Sequence, residues 1–265
     1  MNNLSKNINA FILFSCLKFK KMFSFKVNVI SQTVGMFINN LAFLFIWWLL
    51  YKRFGNINGY SFRETFLIEG FVALFYAFFF LFIGGITKLS EYVNQDKILD
   101  LQLYPVNPLT ILITKSGAPS QFGDFLQGTL MIVIYLFLNS KRWGWIFASV
   151  ILATIGLFGV SLIFNSLIFF FPKVLHGFSN IIENIYIGGS MYPSQNFRGV
   201  FRYILYAVLL IPIISFPVEV LRGFLHPSFL IYTIIAVIMA NVLGYFLWNK
   251  GIKRFESGSG GGIVE

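Results

Sequence analysis

The sequence predicts an all-α, polytopic helical membrane protein with six transmembrane helices. Three observations predict it. Hydrophobic residues make up 57% of the 265-residue chain and charged residues only 11%, against roughly 25% charged in a soluble domain. The apolar residues come in blocks of about 20, the length that crosses a hydrocarbon core of ~30 Å. The 20 Lys and Arg residues gather mainly between alternate blocks, as the positive-inside rule expects.

Residues 1–26 read as an interfacial amphipathic helix. Leu4, Ile8, Phe11, Ile12, Ser15, Phe19, Met22 and Phe23 share one face, and Lys6, Lys18 and Lys21 lie away from it, the pattern of a helix lying along a membrane surface. The basic cluster follows the apolar run, which argues against a signal peptide. Residues 27–86 hold transmembrane helices 1 and 2, at 27–50 and 65–86, separated by a short polar loop. The first ends in "FIWWLL", with tryptophans suited to a headgroup boundary.

Residues 87–121 interrupt the apolar pattern with "KILDLQLYPVNPLTIL". Charged and apolar positions alternate over 88–101 as a short amphipathic helix, and Pro105 and Pro108 stop it in a rigid elbow. Residues 122–171 hold transmembrane helices 3 and 4, at 122–138 and 145–171. Residues 172–200 read as a second cytoplasmic or interfacial segment. Residues 201–248 carry transmembrane helices 5 and 6, at 201–216 and 228–248. Pro212, Pro217 and Pro227 break the outer segment 212–227, which is either re-entrant or an ordinary loop. Residues 249–265 form a cytoplasmic tail ending in Gly and Ser. An even number of spans puts both termini on one side. Placing them in the cytoplasm puts 14 basic residues inside and six outside.

Chemistry-bearing patterns are sparse. There is no G-x-x-x-x-G-K-[ST] phosphate loop, no metal-ligand spacing around His176 or His226, and a single cysteine, Cys16. The chain is therefore expected to be non-catalytic, with no catalytic residue, metal or cofactor of its own. Polar groups within spans carry the functional candidates, because each is costly in hydrocarbon. Glu69 either faces a polar pathway or pairs with Arg63. Gln32 and Asn39 fall on one face, Asn40 is adjacent, and Asn165 lies in the fourth span. Together they line a substrate pathway or hydrogen-bond between helices. Pro212, Pro217, Glu219 and Arg222 form a candidate outer gate, with Glu219 and Arg222 spaced to pair on one helical turn.

The leucine-rich run into "YPVNPL", the later "MYPSQNFRGVFRYILYAVLLIPIISFPVEVLRG" and the close "WNKGIKRFESGSG" resemble, in this order, landmarks of the ABC-2 type transporter permeases, in particular the bacterial ABC-2 family transporter proteins that act as paired subunits. The family's usual Gly and Arg near the elbow are replaced by Asn94-Gln95-Asp96 and Tyr104. The resemblance implies a permease subunit in the bacterial cytoplasmic membrane, with a separate nucleotide-binding ATPase that holds ATP and Mg. It also implies a second permease subunit, identical or related, and a lipid bilayer as surroundings; no nucleic-acid partner is expected. A cytoplasmic coupling helix between spans two and three would dock the ATPase through Lys97, Ile98, Leu99, Asp100, Leu101, Leu103, Tyr104, Pro105, Asn107 and Pro108. The substrate would be amphipathic or hydrophobic and the direction export. An ATP-independent secondary transporter or channel is the alternative, and a membrane-embedded lipid-modifying enzyme a more remote one.

Overall fold

The computed structural model describes residues 3–57, 59–138, 143–171, 185–186, 188–190, 192, 197–223 and 225–259. They form helices throughout, with one isolated β-bridge, Ile57 to Tyr60, and no strand among the described residues. In chain order the helices are α1 (Asn3–Ser24), α2 (Lys26–Phe54), α3 (Phe62–Phe78), α4 (Leu89–Asn94), α5 (Ile98–Gln102), α6 (Pro108–Thr114), α7 (Gln121–Leu138), α8 (Trp143–Ser166), α9 (Gly199–Ala207), α10 (Phe216–Arg222) and α11 (Phe229–Ser259).

Four helical stretches are long and apolar enough to cross a membrane: Lys26–Phe54, Phe62–Asn94, Gly144–Phe169 and Phe229–Ser257. The bent pair Gly199–Ala207 and Ile211–Arg222 makes a fifth if it is one span. The expected third span corresponds to α7, an apolar helix shorter than these. The segment expected at 172–200 lies mostly outside the described residues, as do Lys141, Arg142, His176 and the last residues of the Gly/Ser tail.

Glycine sets two of the main helix crossings. A Cβ on Gly128 of α7 would lie 2.8 Å from the Gly70 carbonyl of α3, and one on Gly159 of α8 would lie 2.7 Å from the Asn241 amide of α11. Association between helices in lipid relies on such close approach, since hydrocarbon supplies no hydrophobic drive. The core between these pairs is aliphatic and aromatic, with Phe71, Phe75 and Phe79 of the second span fully enclosed.

The helix that carries the second span extends beyond the expected membrane segment. It continues past residue 86 to Asn94, through π-turns at Phe79–Ile83 and 3₁₀ turns at Gly84–Lys88. Gly85 makes the change of pitch possible where α6 doubles back: a Cβ there would lie 2.0 Å from the Leu112 carbonyl. Lys18, expected to face headgroups, instead turns inward and donates to the Leu81 carbonyl, inside the π-stretch where carbonyls lose their ordinary i+4 partners. Burial there lowers its ammonium pKa to about 8. The helix α1 also leaves apolar side chains uncovered by the rest of the protein. Ala10 and Ser15 are buried against the protein, while Ile8, Ile12, Leu13 and Leu17 are exposed.

Both elbow prolines were expected to stop a helix. The helix α5 ends earlier, at Gln102, and Pro105 lies in the bend that follows. Pro108 starts α6: it occupies the first turn, where its missing N–H is harmless, and Asn107 caps that turn by accepting from the Leu109 amide at 2.9 Å.

The fifth span also departs from 201–216. Its first half ends at Ala207, and the chain bends by 79° before Ile211, with Leu209 in the left-handed region at φ 61°. Pro212 causes the bend without breaking the helix that follows. Its ring clashes with the carbonyl four residues back, that of Val208, and leaves it without a helical donor. The Tyr186 hydroxyl donates to that carbonyl instead. Pro217 repeats the logic within the next turn. In the π-register set by the Phe216 amide bonding Ile211, its absent N–H would have met the Pro212 carbonyl, which accepts from Thr233 Oγ1 at 2.7 Å. The stretch 211–222 is thus continuous helix, and the helix that carries the last span runs on to Ser259.

Candidate functional site

Three assemblies of polar side chains stand out, one at each end of the helices and one at mid-depth. The mid-depth assembly is a cavity of about 320 Å³ between α2, α3 and α7. Its residues come from 36–46 of α2, from 69–80 of the helical stretch Phe62–Asn94 and from the first two turns of α7. Asn39, Asn40 and Glu69 line it, joined by Gln121, Asp124 and Gln127 from α7. Asn40 Nδ2 donates to Asp124 Oδ1 at 2.6 Å, bridging α2 to α7. Glu69 and Asp124 are buried, and Glu69 Oε1, Gln121 Oε1 and Gln127 Oε1 have no hydrogen-bond partner among the described residues. Apolar residues complete the lining, among them Phe43, Val72 and Phe80.

Two expected pathway residues are elsewhere. Gln32 is exposed and donates to Asn28 Oδ1 at 2.9 Å on its own helix. It shares a face with Asn39, but a tight contact separates the two: Thr33 donates to the Pro119 carbonyl at 3.2 Å, and a Cβ on Gly123 would lie 2.6 Å from the Thr33 carbonyl. Asn165 is buried on α8, away from the cavity, and donates to the Ser161 carbonyl at 2.8 Å. Glu69 does not pair with Arg63, which is exposed; its polar neighbour is the Trp47 indole.

The second assembly is an ion cluster around Arg222. The expected pair forms, with Arg222 Nη1 3.0 Å from Glu219 Oε2. Arg222 also holds Glu64 at the start of α3, through Nη2 at 2.9 Å and Nε at 3.1 Å. Its guanidinium stacks 3.5 Å from the Tyr60 ring centroid, and the Tyr60 hydroxyl donates to Glu219. The Arg222 side chain is fully enclosed, that of Glu219 is 6% exposed and that of Glu64 22% exposed. Glu64 is fixed from behind, since its carboxylate accepts the Ser61 amide at 2.6 Å, the returning half of a Ser-x-x-Glu capping box. Ser61-Phe62-Arg63-Glu64 was a readable signal for the start of α3; nothing in the sequence pointed from Glu64 to Arg222. Pro212 and Pro217 shape the helix that carries Glu219 and Arg222 and make no part of the cluster.

The third assembly lies at the opposite end and gathers the elbow, α1 and the end of α11. The Asn107 amide donates to Asn7 Oδ1 at 2.9 Å, Gln102 Nε2 to Glu256 Oε1 at 2.8 Å, and Tyr104 meets Phe14 edge-on at 5.9 Å. The anticipated coupling residues divide into two sets here. Ile98 and Leu101 are fully buried anchors, so they present no docking surface. Lys97, Leu99, Asp100, Leu103, Tyr104 and Pro105 are exposed, Leu103 by 83%, while Asn107 and Pro108 are half-buried. The division follows helical spacing: 98 and 101 fall on the same inward face. Among the described residues no group of three or more His, Cys, Asp or Glu could hold a metal ion.

No curated protein and no solved structure matches the chain. The family model described as "ABC-2 family transporter protein" matches residues 37–259, which takes in the cavity, the Arg222 cluster and the elbow together. The membrane-length helices make the chain an integral membrane protein, and the match over most of its length places it in a family of membrane transport components that generally work with an ATPase subunit: the chain belongs to the ABC-2 family transporter proteins.

Proposed function

We propose that the chain is the permease subunit of an ATP-driven exporter in the bacterial cytoplasmic membrane, docked to a separate ATPase that carries ATP and Mg. The observation that supports it best is the exposed set Lys97, Leu99, Asp100, Leu103 and Tyr104, held on buried Ile98 and Leu101. A rigidly anchored apolar and charged tip is suited to engaging a protein partner. It shares its end of the molecule with α1 and the end of α11, in keeping with both termini being cytoplasmic. A second permease subunit would cover part of α2, whose apolar flank from Val27 through Ile38 to Leu49 is exposed. Closure of the ATPase would push the tip, and the elbow would pass the motion to α3 and α7 on either side of the cavity. The Arg222 cluster would hold the outer end shut until then.

Co-purification in mild detergent tests this reading. A P-loop ATPase is expected in stoichiometric amount with the wild-type chain and is lost with Leu103→Asp, while the variant stays folded. Undiminished ATPase capture and ATP-driven transport by Leu103→Asp would refute the placement of the docking tip.

A further inference from the structure

The cavity between α2, α3 and α7 has a chemistry that selects a ligand class. It carries two buried carboxyl groups, Glu69 and Asp124, 8% and 6% exposed. None of its described lining residues is Lys, Arg or His. Asn40 accounts for one oxygen of Asp124 and the Trp47 indole neighbours Glu69, while Glu69 Oε1 and Gln127 Oε1 have no hydrogen-bond partner among the described residues. These unpartnered atoms are acceptors. A buried acceptor without a donor is costly, and a buried carboxylate without a positive partner more so. The remaining lining is mainly aromatic and aliphatic and includes Phe43, Tyr76 and Phe80.

A ligand that answers all three features has several N–H donors, a positive charge and an apolar body. We propose that this cavity binds a protonated alkyl- or arylamine, its ammonium on Glu69 and Asp124 and its apolar body against Phe43 and Phe80. An anion meets two acids, and a neutral hydrocarbon leaves the acceptors bare. A bare metal ion finds too few carboxyl or imidazole ligands among the described residues. The inference rests on reading the cavity as the substrate pathway and names the substrate class for it.

Three probes of one shape test it: 4-phenylbutylamine, 4-phenylbutanol and 4-phenylbutyrate. Binding is measured by titration calorimetry on the full chain in detergent at pH 7. The amine is expected to bind saturably, at least tenfold more tightly than the alcohol, with no binding of the carboxylate. Glu69→Gln keeps the shape of the side chain and is expected to weaken the amine at least tenfold; Asp124→Asn, which still accepts from Asn40, weakens it several-fold. Glu91→Gln removes an equal charge at an exposed position and leaves binding unchanged. The proposal is overturned by absence of saturable amine binding, by equal affinity for the alcohol, or by unchanged affinity in both cavity variants with melting temperatures at the wild-type value. The assay uses no ATPase, so its failure leaves the permease reading to the co-purification experiment.

Discussion

Replacing Arg222 by methionine removes the cation from a cluster that ties the start of α3 to α10. Its side chain is fully enclosed and makes ion-pair contacts to both Glu219 and Glu64 at 2.9–3.0 Å, besides its stacking on Tyr60. Removing one partner of a buried pair costs about 3–5 kcal/mol, because the other charge stays desolvated. The two carboxylates do not contribute equally. Glu219 is nearly enclosed, while Glu64 is 22% exposed and keeps some hydration. Most of the loss therefore comes from Glu219, and screening by water reduces the share from Glu64. Arg222→Lys retains the charge and loses the fork that bonds two carboxylates at once, for about 1–3 kcal/mol.

Reversible unfolding in mixed micelles measures these differences, and a double-mutant cycle apportions them. The coupling of Arg222 with Glu219, read with Glu219→Gln, is expected to exceed that with Glu64, read with Glu64→Gln. The triple variant with methionine and both glutamines should recover part of the loss, because no unpaired charge remains. A stability of Arg222→Met within about 1 kcal/mol of wild type, or a larger coupling to Glu64 than to Glu219, refutes the reasoning.

Four further outcomes follow from the same structure. Tyr186→Phe and Thr233→Val each strip a proline-freed carbonyl of its donor, so each should cost about 1–3 kcal/mol in the same unfolding assay. Leu101→Asp should prevent folding and Leu103→Asp should not, since one side chain is enclosed and the other 83% exposed; yield of monodisperse protein separates them. Gly128→Ala forces α7 away from α3, whose backbone would lie 2.8 Å from the added carbon, and should destabilise by about 1–3 kcal/mol. For Lys18, the folded ammonium titrates near 8 against 10.5 for the free side chain. The unfolded chain therefore binds more protons between those values, and wild-type stability rises with pH across that window; the Lys18→Met variant should show a flatter rise, read as the difference between the two curves.

The helices were legible because their signal is local. Twenty apolar residues identify a span whatever surrounds it, and Asn39 and Glu69 stood out as polar residues inside such runs. Asp124 and Gln127 did not, although they line the same cavity. They lie in the first two turns of α7, where a polar residue reads as the edge of a loop. Glu64 was hidden for a related reason: its local role in starting α3 is complete in the sequence, and its partner Arg222 lies 158 residues further on. The prolines misled in a third way. A proline reports only that one carbonyl will lack its helical donor. Whether the helix ends there depends on a distant hydroxyl, such as Tyr186 or Thr233, that no local rule can see.

One helix connects the three assemblies, and this gives the proposed transport cycle its mechanical form. Glu64 ties the start of α3 to the Arg222 cluster, and Glu69, five residues on, opens into the cavity about 7.5 Å along the axis. The same helical stretch then runs on to Asn94 and delivers the chain to the proposed docking tip. A rigid span would transmit any push at the tip straight to the cluster. Here the π- and 3₁₀ turns at 79–88 interrupt the α-helical ladder between tip and cavity, at a place braced by Lys18 on one side and by α6 against Gly85 on the other. Such turns shift register at lower cost than a regular helix. Gly85→Ala, which drives a carbon into the Leu112 carbonyl, should therefore impair ATP-driven transport in excess of its effect on amine binding at Glu69. Equal losses in both would place the moving element elsewhere.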